Sequence, residues 1–209
     1  MTQRKKLIIS VFMGVILSVL ISMTADFTAF AGECSDIREE IVRIHILANS
    51  NTHQDQELKL KIRDRILQEC SDIFVTGGTK QDALDTLSLH LPQLKLAAEQ
   101  ELERLGFAYP IRVRLEQAYF TTRVYDNLTL PAGTYDALRI EIGQAAGHNW
   151  WCIAFPQMCL PAAEQKTPSD QIFSERQEDI MENSRKYEVK FAIVEFFESI
   201  GQKISEWFE

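Results

Sequence analysis

Three consecutive basic residues, Arg4-Lys5-Lys6, precede an uncharged, mostly apolar run from Leu7 to Met23, and this divides the chain into two parts. Small residues follow and end in Ala29-Phe30-Ala31. A basic start, an apolar stretch and an A-x-A triplet make up a secretory signal peptide. The run is also close to the shortest length that spans a bilayer, so an uncleaved anchor is the alternative. The A-x-A triplet favours cleavage after Ala31, and either way the rest of the chain is expected outside the cytoplasm. Cys34 is not a lipidation site, because Glu33 stands where a small residue is needed.

The 209 residues carry a net charge of −8, which argues against affinity for nucleic acid or anionic lipid. Twelve Phe, five Tyr and three Trp are enough to fill a sizeable core. Export favours paired thiols. Cys152 and Cys159 are close enough in sequence to close a short loop containing Pro156, and a disulfide is expected there. The pairing of Cys34 and Cys70 stays open.

Between Ile41 and Leu47, IVRIHIL alternates, with Ile41, Arg43, His45 and Leu47 on one side and Val42, Ile44 and Ile46 on the other. That predicts a strand at least half buried. Ala48-Asn49-Ser50-Asn51 suits a turn and a helix cap. Leu58, Ile62, Ile66, Cys70 and Ile73 then recur at helical spacing, supported by i,i+4 pairs Asp55–Lys59 and Glu57–Lys61. A second helical pattern runs from Leu84 to Leu105, and Pro92 is expected to kink or split it. Alternating strands follow at Ile111–Glu116, Tyr119–Val124, Ala137–Ile142 and Trp150–Phe155.

These elements predict a single α+β domain over 36–160, with a largely antiparallel sheet and helices packed on one face. Residues 1–31 form the signal helix, and 161–184 read as a polar linker with transient helix. Residues 185–208 read as a C-terminal amphipathic helix. Its stripe is Val189, Ile193, Phe196, Ile200, Ile204 and Trp207, expected to pack on the domain, with partner docking second.

Motifs for chemistry are sparse. The four His lack zinc-site spacing, and no phosphate-cradling glycine loop is present, so no metal or cofactor is expected. His148 and Cys152 are four residues apart and suggest a nucleophile pair, but a disulfide at Cys152 would remove the thiolate. A secreted hydrolase of cell wall or peptide is the alternative class, with no carboxylate singled out. Trp150 and Trp151 must point to opposite faces of a strand, which offers one of them as an interface anchor.

Several segments together resemble the stage II sporulation protein R family. They are Arg43-Ile44-His45-Ile46-Leu47-Ala48-Asn49-Ser50-Asn51, Asp55 to Lys61 with Arg63-Asp64, and Tyr109-Pro110. Thr122-Arg123 with Tyr125, Leu130 to Arg139, Asn149 to Cys152, Phe155-Pro156, Cys159 and Tyr187 to Phe191 complete the set. Asn51 and Thr121 depart from the family's more usual Asp and Pro, both changes that a turn accommodates.

The resemblance implies a non-enzymatic signalling protein made in the forespore and exported to the space between the two membranes around it. Its partner there would be a membrane-embedded aspartic protease of the mother cell, of the stage II sporulation protein GA type. That protease would then cleave the pro-form of sigma-E. No nucleic acid or small-molecule substrate is expected. The candidate contact residues are Asn49, Asp55, Lys59, Arg63, Trp150 and Trp151.

Overall fold

The computed structural model describes residues 3–69, 78–125, 128–156 and 172–208. In chain order its elements are α1 (Gln3–Glu39), β1 (Val42–Leu47), α2 (His53–Glu69) and α3 (Lys80–Arg104). They continue with β2 (Ile111–Phe120), β3 (Arg123–Tyr125), β4 (Leu128–Leu130), β5 (Gly133–Ile142) and β6 (Asn149–Phe155). Two helices close the chain, α4 (Glu175–Glu182) and α5 (Ser184–Phe208).

Four strands form one sheet in the order β2-β5-β1-β6, and β3 and β4 form a separate hairpin. β1 lies parallel to β5 and antiparallel to β6, while β2 and β5 are antiparallel. The sheet is therefore mixed with antiparallel pairings in the majority, and the fold is α+β. β2 runs unbroken through Phe120, so Tyr119 and Phe120 end the long strand instead of starting the next one, as the alternation had suggested.

All six residues of β1 are buried, because each of its two side-chain rows meets a different helical layer. Ile44 and Ile46 join Leu58, Ile62 and Ile66 of α2 and Leu87, Leu94 and Leu102 of α3. On the other face Phe30, Cys34 and Ile37 of α1 pack with Phe120, Tyr135 and Ile153, and with Ile180 of α4 and Phe191 of α5. Helices thus cover both faces of the sheet, not one. Each fully buried Ile, Leu or Phe contributes about 1.5–3 kcal/mol, so both layers matter to stability.

α3 is a single helix with Pro92 inside it, not two. Its start is fixed by a capping box in which Thr79 and Asp82 satisfy each other's backbone. The apolar face on either side of Pro92, Leu87 and Leu94, is buried, which offsets the hydrogen bond that proline cannot make.

Residues 175–182, within the stretch read as a polar linker, form α4. Ser174 and Gln177 make a second capping box, and Gln177, Ile180 and Met181 are buried. Cys70 and Cys159 lie outside the described residues. Cys34 is a free, buried thiol, and burial raises its pKa to about 12. Cys152 is disulfide-bonded, and its expected pairing with Cys159 falls on a residue outside those described.

The C-terminal helix forms as expected but docks by another face. Val189, Phe196, Phe197 and Ile204 are all more than half exposed, whereas Phe191 is 3% and Val194 5% exposed. The docked row is Tyr187, Phe191, Val194 and Glu198. It is selected by complementary groups on α1: Phe30 stacks on Tyr187 at 5.4 Å and meets Phe191 edge-on at 5.3 Å, and Arg38 pairs with Glu198 at 2.9 Å.

The turn from β5 to β6 sits against the end of β1. A Cβ placed on Gly147 would fall 2.1 Å from the carbonyl oxygen of Ser50, which is backbone and cannot rotate away. Gly147→Ala is therefore expected to destabilise the domain by about 2 kcal/mol. Chemical denaturation followed by tryptophan fluorescence measures it.

Candidate interaction surface

The polar segment after β1 acts as a joint between three elements. Thr52 caps α2, since its Oγ1 accepts from the Asp55 backbone N–H at 3.3 Å and its carbonyl from Gln56 at 3.0 Å. Asn49 has a different task. Its Nδ2 donates to Asp55 at 2.9 Å, and its Oδ1 accepts from the Gln144 backbone at 3.0 Å. Asn51 accepts from the His148 backbone at 2.7 Å. The two asparagines thereby hold the β5–β6 turn, while threonine does the capping.

Asp55 is 3% and Lys59 5% exposed. Burial would raise the pKa of Asp55, but hydrogen bonds from Ser50 and Asn49 outweigh it and hold the carboxylate below its usual range. Lys59 donates to Gln56 Oε1 at 2.8 Å and to the His148 carbonyl at 2.9 Å. These bonds take the place of the i,i+4 pair expected between Asp55 and Lys59. Of the six candidate contact residues, Asn49, Asp55 and Lys59 are engaged within the molecule.

Arg63, Trp150 and Trp151 lie nearer the surface. Arg63 sits over the Trp150 ring at 5.4 Å and bonds Asp64 at 2.7 Å. The two tryptophans are half-buried on opposite faces of β6, Trp150 against the α2–α3 layer and Trp151 against the other core. Trp151 is sandwiched between His45, stacked at 5.8 Å, and Arg123, whose guanidinium lies 3.7 Å from the ring centre.

Beside that sandwich is a group that sequence reasoning did not single out. Arg43 is fully buried. Its guanidinium lies 4.0 Å from the Phe120 ring and 5.0 Å from Tyr135, and it donates to the Tyr125 hydroxyl. Its Nε and Nη1 have no hydrogen-bond partner. Burial lowers its pKa, yet it stays charged because the ordinary value is so high. The ring faces substitute for water through cation–π attraction, which strengthens on desolvation. The signal was an arginine within an alternating strand whose other members, His45 apart, are apolar.

Further along the same face the helices give way to an Arg/Glu ladder. Arg112 bonds Glu141 at 2.8 Å, Arg114 reaches Glu141 at 3.0 Å and Glu116 at 2.5 Å, and Arg139 reaches Glu116 at 2.9 Å and Glu141 at 3.0 Å. Burial would raise the pKa of Glu141, but bonds from Arg112 and Arg114 and the charges of Arg114 and Arg139 bring it down to about 2. Among the described residues no three His, Cys, Asp or Glu side chains converge as a metal site.

The profile of the stage II sporulation protein R family matches residues 38–165, which include the joint, the Arg43 pocket and the ladder. The chain belongs to that family. It is also 33% identical over 160 residues to stage II sporulation protein R of Bacillus subtilis (strain 168), covering 75% of this chain and 71% of that protein. No solved structure matches it. Its role is thus in sporulation, and its N-terminal helix is apolar enough for a signal peptide or a membrane anchor.

Two measurements check the buried charges. Arg43→Lys replaces a stacked plane with a strongly hydrated point charge and is expected to cost about 2–3 kcal/mol. Arg43→Met, which has no charge to desolvate, is expected to stay within about 1 kcal/mol of wild type in denaturant titrations.

The second measurement is pH dependence. Burial holds the His45 pKa down to about 4, so the unfolded chain takes up its proton first, near 6.5. Stability is therefore expected to fall as pH drops from 6.5 to 4, by on the order of 2 kcal/mol. Glu141 extends the loss from about 4.5 down towards 2. His45→Gln is expected to flatten the upper limb of a melting-temperature–pH curve and leave the lower one.

Proposed function

We propose that this protein is an exported sporulation signal. It acts in the space between forespore and mother cell, where it activates a membrane-embedded aspartic protease that cleaves the pro-form of sigma-E. The observation that carries the reading is the family match over 38–165, preceded by a helix suited to export. The role is that of a ligand, not of an enzyme. A ligand shifts its receptor only by binding the active form more tightly than the inactive one, and a surface of fixed shape lowers the ordering cost of that binding.

The joint around Asn49 and Asp55 supplies that rigidity next to the β6 tryptophans. In this reading Asn49, Asp55 and Lys59 contribute by positioning, and Arg63, Trp150, Trp151 and Arg123 meet the receptor. Paired arginine and tryptophan side chains are the residue types that dominate binding energy at interfaces. The pairing proposed for Cys152 and Cys159 would tie β6 to the chain segment that follows it.

The test is co-expression of this protein, the membrane protease and the sigma-factor precursor in a non-sporulating host, with precursor cleavage followed by immunoblot. Cleavage is expected only when this protein is present with its N-terminal segment. Arg63→Glu and Trp150→Ala are each expected to lower cleavage at least tenfold with protein levels unchanged. Full cleavage by both variants would exclude this surface, and no cleavage by the wild-type set would exclude the role.

A further inference from the structure

The α1 helix does not stop at the A-x-A triplet. It continues through Ala29-Phe30-Ala31 to Glu39 without interruption. Phe30 is 1% exposed and enters the core between Tyr187 and Phe191 of α5, with Phe27 and Ala31 packed alongside. Asp26 pairs with Lys190 of the same helix, and Glu33 faces Arg176 at 3.5 Å. Cleavage after Ala31 would remove Phe27, Phe30 and Asp26. The aromatic pocket on α5 would be left empty, and deletion of a buried Phe is among the most damaging core truncations.

The other end of α1 has the opposite character. From Leu7 to Met23 its large apolar side chains are 40–67% exposed, no residue is charged, and only the small Ser10, Gly14, Ser18 and Ser22 interrupt them along one side. An uncharged helix of this hydropathy, with only small residues breaking its apolar surface, is stable in lipid or in a protein core, and here no part of its most apolar stretch is buried in the protein. At 1.5 Å per residue these 17 residues cover about 26 Å, close to the hydrocarbon thickness of a bilayer. Arg4, Lys5 and Lys6 mark the cytoplasmic end, while Asp26, Glu33 and Asp36 follow on the far side.

We propose that α1 is retained in the working protein as a single-pass membrane anchor whose lower half is part of the domain. The partner of the exposed apolar half is a lipid bilayer, and residues 24–39 are the rigid stalk that docks α5. The A-x-A triplet is then a helix segment that is never cut. This inference is independent of the signalling role and is read by mass and location, not by precursor cleavage.

The experiment compares the full chain with Ala29→Lys in an exporting bacterium. Ala29 is exposed, so the fold tolerates the change, and a charge at that position blocks A-x-A recognition. Both proteins are expected at full-length mass and in membranes after an alkaline wash. A wild-type protein that begins at Gly32, or any accumulated form lacking residues 7–23, would overturn the inference. As a second readout, Phe30→Ala is expected to speed protease digestion of the exported domain at least tenfold. Unchanged digestion would equally count against it, since a residue removed by processing has no effect.

Discussion

A charged guanidinium buried among aromatic rings sets the arrangement of the second face of the sheet. Arg43 draws its neighbours from three separate places: Phe120 at the end of β2, Tyr125 on the β3–β4 hairpin and Tyr135 on β5. The hairpin strands pair with each other and not with the sheet, so side chains fix it to the domain: Tyr125 at Arg43, Arg123 on the Trp151 ring, and the apolar Leu128 and Leu130 in the core. Arg43 also precedes the Asn49 joint by six residues, so both ends of one short strand carry polar groups with no freedom to move. β1 is therefore more than the middle of a hydrophobic layer. Its parallel pairing with β5 and antiparallel pairing with β6 bring the hairpin, the joint and the tryptophans into fixed relation.

Local features were legible where the pattern alone determines the answer. The alternation of IVRIHIL defines β1, and the alternation of Arg112, Arg114 and Glu116 with apolar neighbours defines the charged row of β2. The joint was visible only as a polar cluster. Which residue caps α2 and which hold a turn almost a hundred positions away depends on β5 and β6 being in place. α4 was missed although Ser174-x-x-Gln177 is a capping box, because the polarity around it masked three buried residues.

The docking face of α5 could not be read from periodicity. The helix carries two rows at helical spacing: the long apolar one through Val189, Ile193, Phe196 and Ile200, and a shorter one through Tyr187, Phe191, Val194 and Glu198. Hydrophobicity favours the first. The protein uses the second, because Phe30, Arg38 and Asp26 on α1 offer a ring, a cation and an anion to match Tyr187, Glu198 and Lys190. Burial goes to the row with specific partners, and the more apolar row stays in contact with solvent. An exposed apolar surface of that length is unusual on a soluble domain.

The direction of those contacts adds a geometric constraint. Asp26 meets Lys190 and Arg38 meets Glu198, so α1 and α5 advance in the same sense. If α1 is held in a bilayer by its first half, α5 runs away from that bilayer. Ile204 then lies about 20 Å beyond the level of Asp26 along the helix axis. The apolar row is thus carried outward from the anchoring membrane instead of onto it. Tethering of this kind replaces diffusion in three dimensions with a local concentration set by the anchor. It also fixes which side of the domain another surface can approach, and the stalk built from residues 24–39 makes that orientation a property of the fold.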